Sequence, residues 1–299
     1  MPPCEAARIA RKKKAIPQAH NAVAEIISSS LIFMTDPTVS NSSVTIFICF
    51  GLALSLAKQV NYKHGIAKGL TTMARFYQNQ GDIQQAFINI DQALLLYTEV
   101  KDTEKICDVL KMKAGLYSEL KDVDHAVRCF EKTIALNKEG GSKDDLRNSY
   151  NQLGLIYSDN HDLSNALKNY LIALDYAEDL PDQTWMRGIL GNIGDIYRRQ
   201  GNVKEAIQYH TKAFNAIKSL HLETQEAWVN WQFAMDYIQL NDYRKAMIYN
   251  NRFLDVMQRL GLKDRLCDAE ELAAKIDSSI GNFKSAYVHF QKYVFLKEQ

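Results

Sequence analysis

The residues with which this chain could do chemistry are few and scattered. Five cysteines, Cys4, Cys49, Cys107, Cys129 and Cys267, are odd in number and show no CxxC spacing. Neither a disulfide framework nor a zinc site is expected, and buried free thiols are the simpler reading. That usage favours a reducing compartment, so a cytoplasmic location is expected, with membrane-associated or periplasmic placement as the alternative. Seven histidines are spread along the chain, with His125 and His161 at turn positions and His210 at a core position. Paired carboxylates such as Glu270-Glu271 fall on helix faces, where solvated charge is the ordinary explanation. There is no GxxxxGKS/T, GxGxxG, HExxH or GxSxG spacing, so no phosphate cradle, zincin helix or nucleophile elbow is present. A net charge of +1 supplies no global field for nucleic acid. The chain is expected to be no enzyme and to carry no metal or cofactor.

What the chain does contain is a register. Tyrosines recur every 40 residues at Tyr77, Tyr117, Tyr157, Tyr197 and Tyr237, with Asp277 closing the column. Nine residues later stands an alanine each time: Ala86, Ala126, Ala166, Ala206, Ala246 and Ala286. Between them runs an Asp/Asn column, Asp82, Asp122, Asp162, Asn202, Asp242 and Asn282. A fixed period of 20 to 50 residues signals a repeat array and overrides other fold guesses. The Asp/Asn column suits helix N-caps, and Glu205 three residues after Asn202 would complete a capping box. The residue before each cap must reverse the chain, which Gly81, Gly201 and Gly281 do readily. Lys121 and His161 would bear about 1 kcal/mol of strain there. The alanines mark close helix crossings, and Ile90, Phe130, Tyr170, His210 and Phe290 form an apolar or aromatic column beside them.

Small residue, Tyr three later, Gly-Asp/Asn turn, Ala, aromatic: over about residues 66–297 this pattern resembles the tetratricopeptide repeat (TPR). The longer unit is similar to TPR arrays of bacterial peptide-sensing regulators, of sensor kinases and of some eukaryotic polarity adaptors. The resemblance implies an all-α fold, a right-handed α-α superhelix (TPR solenoid) of six helix-turn-helix repeats plus a degenerate leading repeat. First helices are predicted at about 64–79, 103–119, 143–159, 183–199, 222–239 and 263–279. Second helices are predicted at about 83–99, 123–137, 163–178, 203–219, 243–260 and 283–297. The repeats then run about 64–100, 101–140, 141–180, 181–220, 221–260 and 261–299. No linker divides this array, and Gly140-Gly141 is its loosest joint.

Ahead of the array, residues 1–34 carry a basic cluster (Arg8, Arg11, Lys12, Lys13, Lys14) and read as a solvated or capping tail. Residues 35–63 form a degenerate leading half-repeat, whose uncharged stretch 44–57 is in phase with the second helices. At 14 residues that stretch is short of the ~20 that span a bilayer. A membrane contact there is the less favoured reading.

In the TPR geometry the first helices line a concave face, through positions nine, six and two residues before the tyrosine column and one after it. That spacing is one face of a helix. The fifth repeat places Trp228, Trp231, Met235 and Ile238 on this stripe, an apolar set that a water-filled groove would not carry without purpose. Beside it fall Gly188 and Gly191, read as small and open, with Asp195 and Arg198, and then Asn148 and Asn151. Gln152 and Asn192 stand one residue off the stripe, and Arg75 and Lys111 sit on the earlier helices. Amides bond a peptide backbone in both directions. The expected function is therefore a non-catalytic scaffold that binds a peptide or protein segment in the groove. The alternative is the ligand-sensing part of a bacterial sensor kinase or transcription regulator whose output domain is absent. A competing reading makes the tryptophans scaffold, packed on the preceding helix. The last helix, with Phe283, Tyr287, Phe290 and Tyr293, should expose apolar surface to a homodimer contact or a downstream domain.

Overall fold

A computed structural model describes residues 51, 54–179, 184–220 and 222–298. The basic cluster and most of 44–57 lie outside the described residues. Twelve α-helices follow one another: α1 (Lys63–Asn79), α2 (Ile83–Glu99), α3 (Thr103–Glu119), α4 (Val123–Lys138), α5 (Lys143–Asp159), α6 (Leu163–Glu178), α7 (Thr184–Arg199), α8 (Val203–Ile217), α9 (Glu223–Gln239), α10 (Tyr243–Arg259), α11 (Lys263–Ser279) and α12 (Phe283–Lys297). The described residues contain no strand, so the fold is all-α. Before α1, residues 54–59 are also helical. Ala57 is fully buried there and Leu54 packs against the α1 cluster, as a leading second helix would.

Nine of the described turns reverse the chain by one device. Each follows a helix with a residue of positive φ: Asn61 at 52°, Gly81 at 77°, Lys101 at 58°, Lys121 at 60°, His161 at 62°, Gly201 at 84°, Asn241 at 58°, Gly261 at 65° and Gly281 at 77°. These positions are separated by multiples of 20 residues, so at these sites the turn inside a repeat and the turn between repeats are the same object. In each, the next N–H bonds back to a carbonyl five residues earlier, as Asp82 N–H does to the Tyr77 oxygen at 2.9 Å and Asp102 N–H to the Tyr97 oxygen at 3.1 Å. A second bond, from Gly81 N–H to the Gln78 oxygen, completes a Schellman motif. The same aspartates then start the next helix. Asp82, Asp102, Asp122, Asp162 and Asp242 each accept from the backbone N–H three residues on. Asn202 and Asn282 make no such side-chain bond. The capping box expected at Asn202–Glu205 therefore does not form.

The helices divide into two compact units, one ending at Gly141 and one beginning at Ser142. The division falls at Gly140-Gly141, where Gly140 has φ 136° and departs from the turn geometry used elsewhere. Within each unit, consecutive helices pack antiparallel and bury one repeating core. Ala86, Ala126, Ala166, Ala206 and Ala246 are fully buried, each where two helices cross. In the first unit Ile90, Ala93 and Tyr97 of α2 lie under Val109 and Leu116 of α3. In the second, Tyr170, Ala173 and Ala177 of α6 lie under Ile189, Ile193 and Ile196 of α7. Among the described residues no helix is long and apolar enough to cross a membrane.

Candidate functional site

The second unit places four first helices, α5, α7, α9 and α11, so that their equivalent faces carry the predicted stripe. Trp228, Trp231, Met235 and Ile238 are each half-buried on α9. Their inner edges belong to the core. Trp228 and Trp231 meet edge to face at 6.0 Å, and both touch the fully buried Phe253 ring of α10 at 5.4 and 6.5 Å. Met235 and Ile238 pack against Ala246, Leu272 and Ile276. The tryptophans thus lean on the following helices, not on the preceding one. The Arg265 guanidinium of α11 sits 4.8 Å above the Trp228 ring, a cation–π contact that leaves Arg265 itself half exposed.

On the neighbouring helices one pair of the amides meets. Asn192 donates from Nδ2 to the Asn151 oxygen at 3.4 Å, joining α7 to α5. Asn148 and Gln152 are partly exposed on α5. Gly188 opens to free space, whereas Gly191 does not. A Cβ at Gly191 would meet the Gln232 amide at 2.8 Å, because the α9 side chain fills the place left vacant.

Between α7, α8 and α9 lies a polar cluster that the sequence hid. His210 and Asp236 are both fully buried, with His210 Nδ1 2.6 Å from Asp236 Oδ2. His210 Nε2 faces the Gly191 carbonyl at 3.3 Å and Asp195 at 3.7 Å. Arg198 donates to Asp195 at 2.9 Å and approaches Asp236 at 3.6 Å, while Gln232 donates to Asp195 at 3.2 Å. Burial pushes the Asp236 carboxyl up from the usual carboxylate range, against the opposing pull of His210 and Arg198. Asp195 is the member that reaches the surface, with its side chain 31% exposed. His210 was expected as a packed core residue, and it is one. Its partners were missed. The available signal was Asp236 in a column where Phe76, Leu116, Ile156, Ile196 and Ile276 are apolar.

Arg75 and Lys111 belong to the first unit. There a cleft of about 580 Å³ opens among α1, α2 and α3, lined by His64, Lys68, Arg75, Tyr97, Lys105 and Asp108 among others. Lys105 is held by Glu104 and Asp108, and Lys111 pairs with Asp108 at 3.2 Å. Burial pushes the Tyr97 hydroxyl up to about 12.

The tetratricopeptide repeat family model matches residues 65–139, 145–219 and 185–259. The chain belongs to the tetratricopeptide repeat family. Two solved TPR-like structures resemble it in fold. The apo form of RapI superposes with a TM-score of 0.70 at 12% identity, covering 93% of this chain and 98% of that one. Aspartyl phosphate phosphatase F from Bacillus subtilis gives 0.69 at 16% identity, covering 96% of this chain and 73% of that one. Outer dynein arm-docking complex subunit 4 of Danio rerio is 26% identical over 193 residues. That stretch is 58% of this chain and 38% of the fish protein. TPR membership accounts for the register, the turns and the small-residue crossings.

Proposed function

We propose that this TPR chain is a non-catalytic interaction module whose second unit seats a peptide or protein segment on the face formed by α5, α7, α9 and α11. Trp228 and Trp231, half-exposed and edge to face, carry the reading. They offer an apolar anchor, and Phe253 behind them keeps both rings in place. The Asn148, Asn151, Gln152 and Asn192 amides supply backbone donors and acceptors next to it. Asp195 and Arg198 add a charged floor whose geometry is fixed by the cluster beneath. The zebrafish relative's name describes a docking-complex subunit, which accords with a scaffold role.

The reading predicts that a segment selected from a random peptide library on the immobilised protein carries an aromatic or aliphatic anchor. Its affinity should fall at least tenfold for Trp231→Ala. Selection of segments whose binding ignores Trp228 and Trp231 would sink it.

A further inference from the structure

The second helices of the last three repeats share a surface pattern that the groove does not use. α8 carries Lys204, Gln208 and Lys212, α10 carries Arg244, Ile248 and Arg252, and α12 carries Lys284, Val288 and Lys292. Each set runs i, i+4, i+8 along one face of its helix, with the two cations about 12 Å apart along the axis. All of these residues are exposed. The sets on α8 and α10 stay exposed with a whole repeat stacked after each, so the face belongs to the stacked repeats and not to the last helix alone. Among the described residues Lys204, Lys212, Arg244, Arg252 and Lys284 form no ion pair, whereas Lys292 approaches Glu270 at 3.6 Å. The three helices hold only Glu205 and Asp255 as acids, and Asp255 faces Arg259 at 3.5 Å. The overall charge of +1 conceals this local field. The first cation of each set also opposes a local rule. Lys204, Arg244 and Lys284 are the second residues of their helices, where the positive end of the helix dipole disfavours a cation. At the same place α2, α4 and α6 carry Gln84, Asp124 and Ser164. A cation that recurs against the dipole, with no carboxylate of its own chain to answer it, marks a functional surface.

We infer that this face docks an acidic segment of a partner protein, one whose carboxylates flank aliphatic side chains. Charge complementarity supplies the carboxylates. The middle row supplies the rest. Ile248 is 46% and Val288 45% exposed between the cations, and a phosphate backbone offers nothing apolar to meet them. The face has no free platform for stacking bases either. The rings nearest its cations are already capped, with Lys212 4.8 Å over Tyr209 and Arg252 5.3 Å over Tyr249. Ile248 and Val288 are each about half-buried, so they line the face and do not reach into a bilayer. The inference stands apart from the groove reading, because no residue is shared between the two surfaces.

The probe is a fluorescein-labelled peptide of repeated Glu-Glu-Leu, added to the full chain at low ionic strength. Fluorescence anisotropy should rise saturably, and added NaCl should weaken the binding. A Glu-Glu-Ser peptide of the same length should bind at least threefold more weakly, having nothing for the middle row. Lys204→Glu, Arg244→Glu and Lys284→Glu together should weaken binding at least tenfold. A carboxylate suits that position of a helix, so the helical circular dichroism should be unchanged. An equal change of charge at exposed positions of the first unit, Lys58→Glu, Arg128→Glu and Lys132→Glu, should alter binding less than twofold. Absence of saturable binding, survival of binding in the first triple variant, or an equal loss in the second would overturn the inference. So would equal affinity for the Glu-Glu-Ser peptide. Tighter binding of a labelled oligothymidylate or of phosphatidylserine vesicles, lost in the first triple variant, would assign the face to nucleic acid or membrane instead. A wild-type dimer in sedimentation that the same variant dissolves would assign it to a second copy.

Discussion

His210 and Asp236 stand 2.6 Å apart, both without solvent exposure, at a junction where the preceding repeat places the Tyr170 ring under Ile196. The substitution is matched on both sides. His210 occupies the position of Tyr170, and Asp236 that of Ile196, one repeat away. The cradle is kept as well. A Cβ on Gly154 would meet Tyr170 at 2.6 Å, and one on Gly194 would meet His210 at 2.3 Å. A buried polar or ionic pair is weak evidence for stability, and replacing it with apolar residues of similar volume is often neutral or stabilising.

That equivalence yields a stability cycle. His210→Ala should destabilise by about 3–5 kcal/mol, because buried Asp236 loses its closest partner and keeps only the Arg198 guanidinium at 3.6 Å. The pair His210→Tyr with Asp236→Ile, which installs the neighbouring junction, should match the wild type or exceed it. Urea midpoints for the two singles and the double measure the coupling.

Asp236 also gives the pH dependence a sign. Its folded pKa is raised by burial, so its contribution to stability is present at acid pH and is lost as pH rises through the folded value. Asp162 and Asp242 have the opposite sense. The backbone N–H of Asn165 and the Lys245 side chain bond the two carboxylates and hold them below the ordinary range, so their contribution is lost as pH falls. Relative to wild type, Asp236→Asn should therefore gain stability as pH rises above about 4, the ordinary aspartate value. Asp162→Ala with Asp242→Ala should flatten the loss on acidification below it. Urea titrations at several pH values check both signs.

Lys101 and Lys121 hold φ 58° and 60° at positions where Gly81 and Gly201 stand in equivalent turns. A left-handed conformation strains any residue with a Cβ. Glycine relieves that strain and adds some unfolded-state entropy, so Lys101→Gly and Lys121→Gly should each stabilise by about 0.5–1 kcal/mol. The denaturation midpoint should rise with an unchanged slope. A lower midpoint at both sites would mean the turns are not strained.

Ala206 is fully buried at the α7–α8 crossing. Ala206→Leu should overpack it and cost about 1–3 kcal/mol. An unchanged melting temperature would contradict the crossing.

Much of the fold was legible because its causes are local. The helix ends follow from the Asp caps and the turn residues, and the observed bounds lie within two residues of those read from the register. Lys121 and His161 take the strained geometry that the register demanded of them. The site was legible only in part. The stripe on α9 could be read from helical spacing, but the Asn151–Asn192 contact across two repeats could not. The filling of Gly191 by Gln232 could not, since those residues are 41 apart and meet only when two repeats stack. The His210–Asp236 pair was hidden for the same reason: each residue alone looks like an exception to its column, and only the junction shows that the exceptions answer each other.

The central claim is that the α9 tryptophans receive the partner. The chain has three tryptophans, Trp185, Trp228 and Trp231, so its indole N–H signals form a small set. Trp185 lies off the stripe, exposed and stacked under Arg147 at 4.6 Å, and serves as an internal control. Titration with a library-selected segment should shift the Trp228 and Trp231 indole resonances and leave Trp185 in place. A saturable binding event that shifts neither Trp228 nor Trp231 would contradict the account.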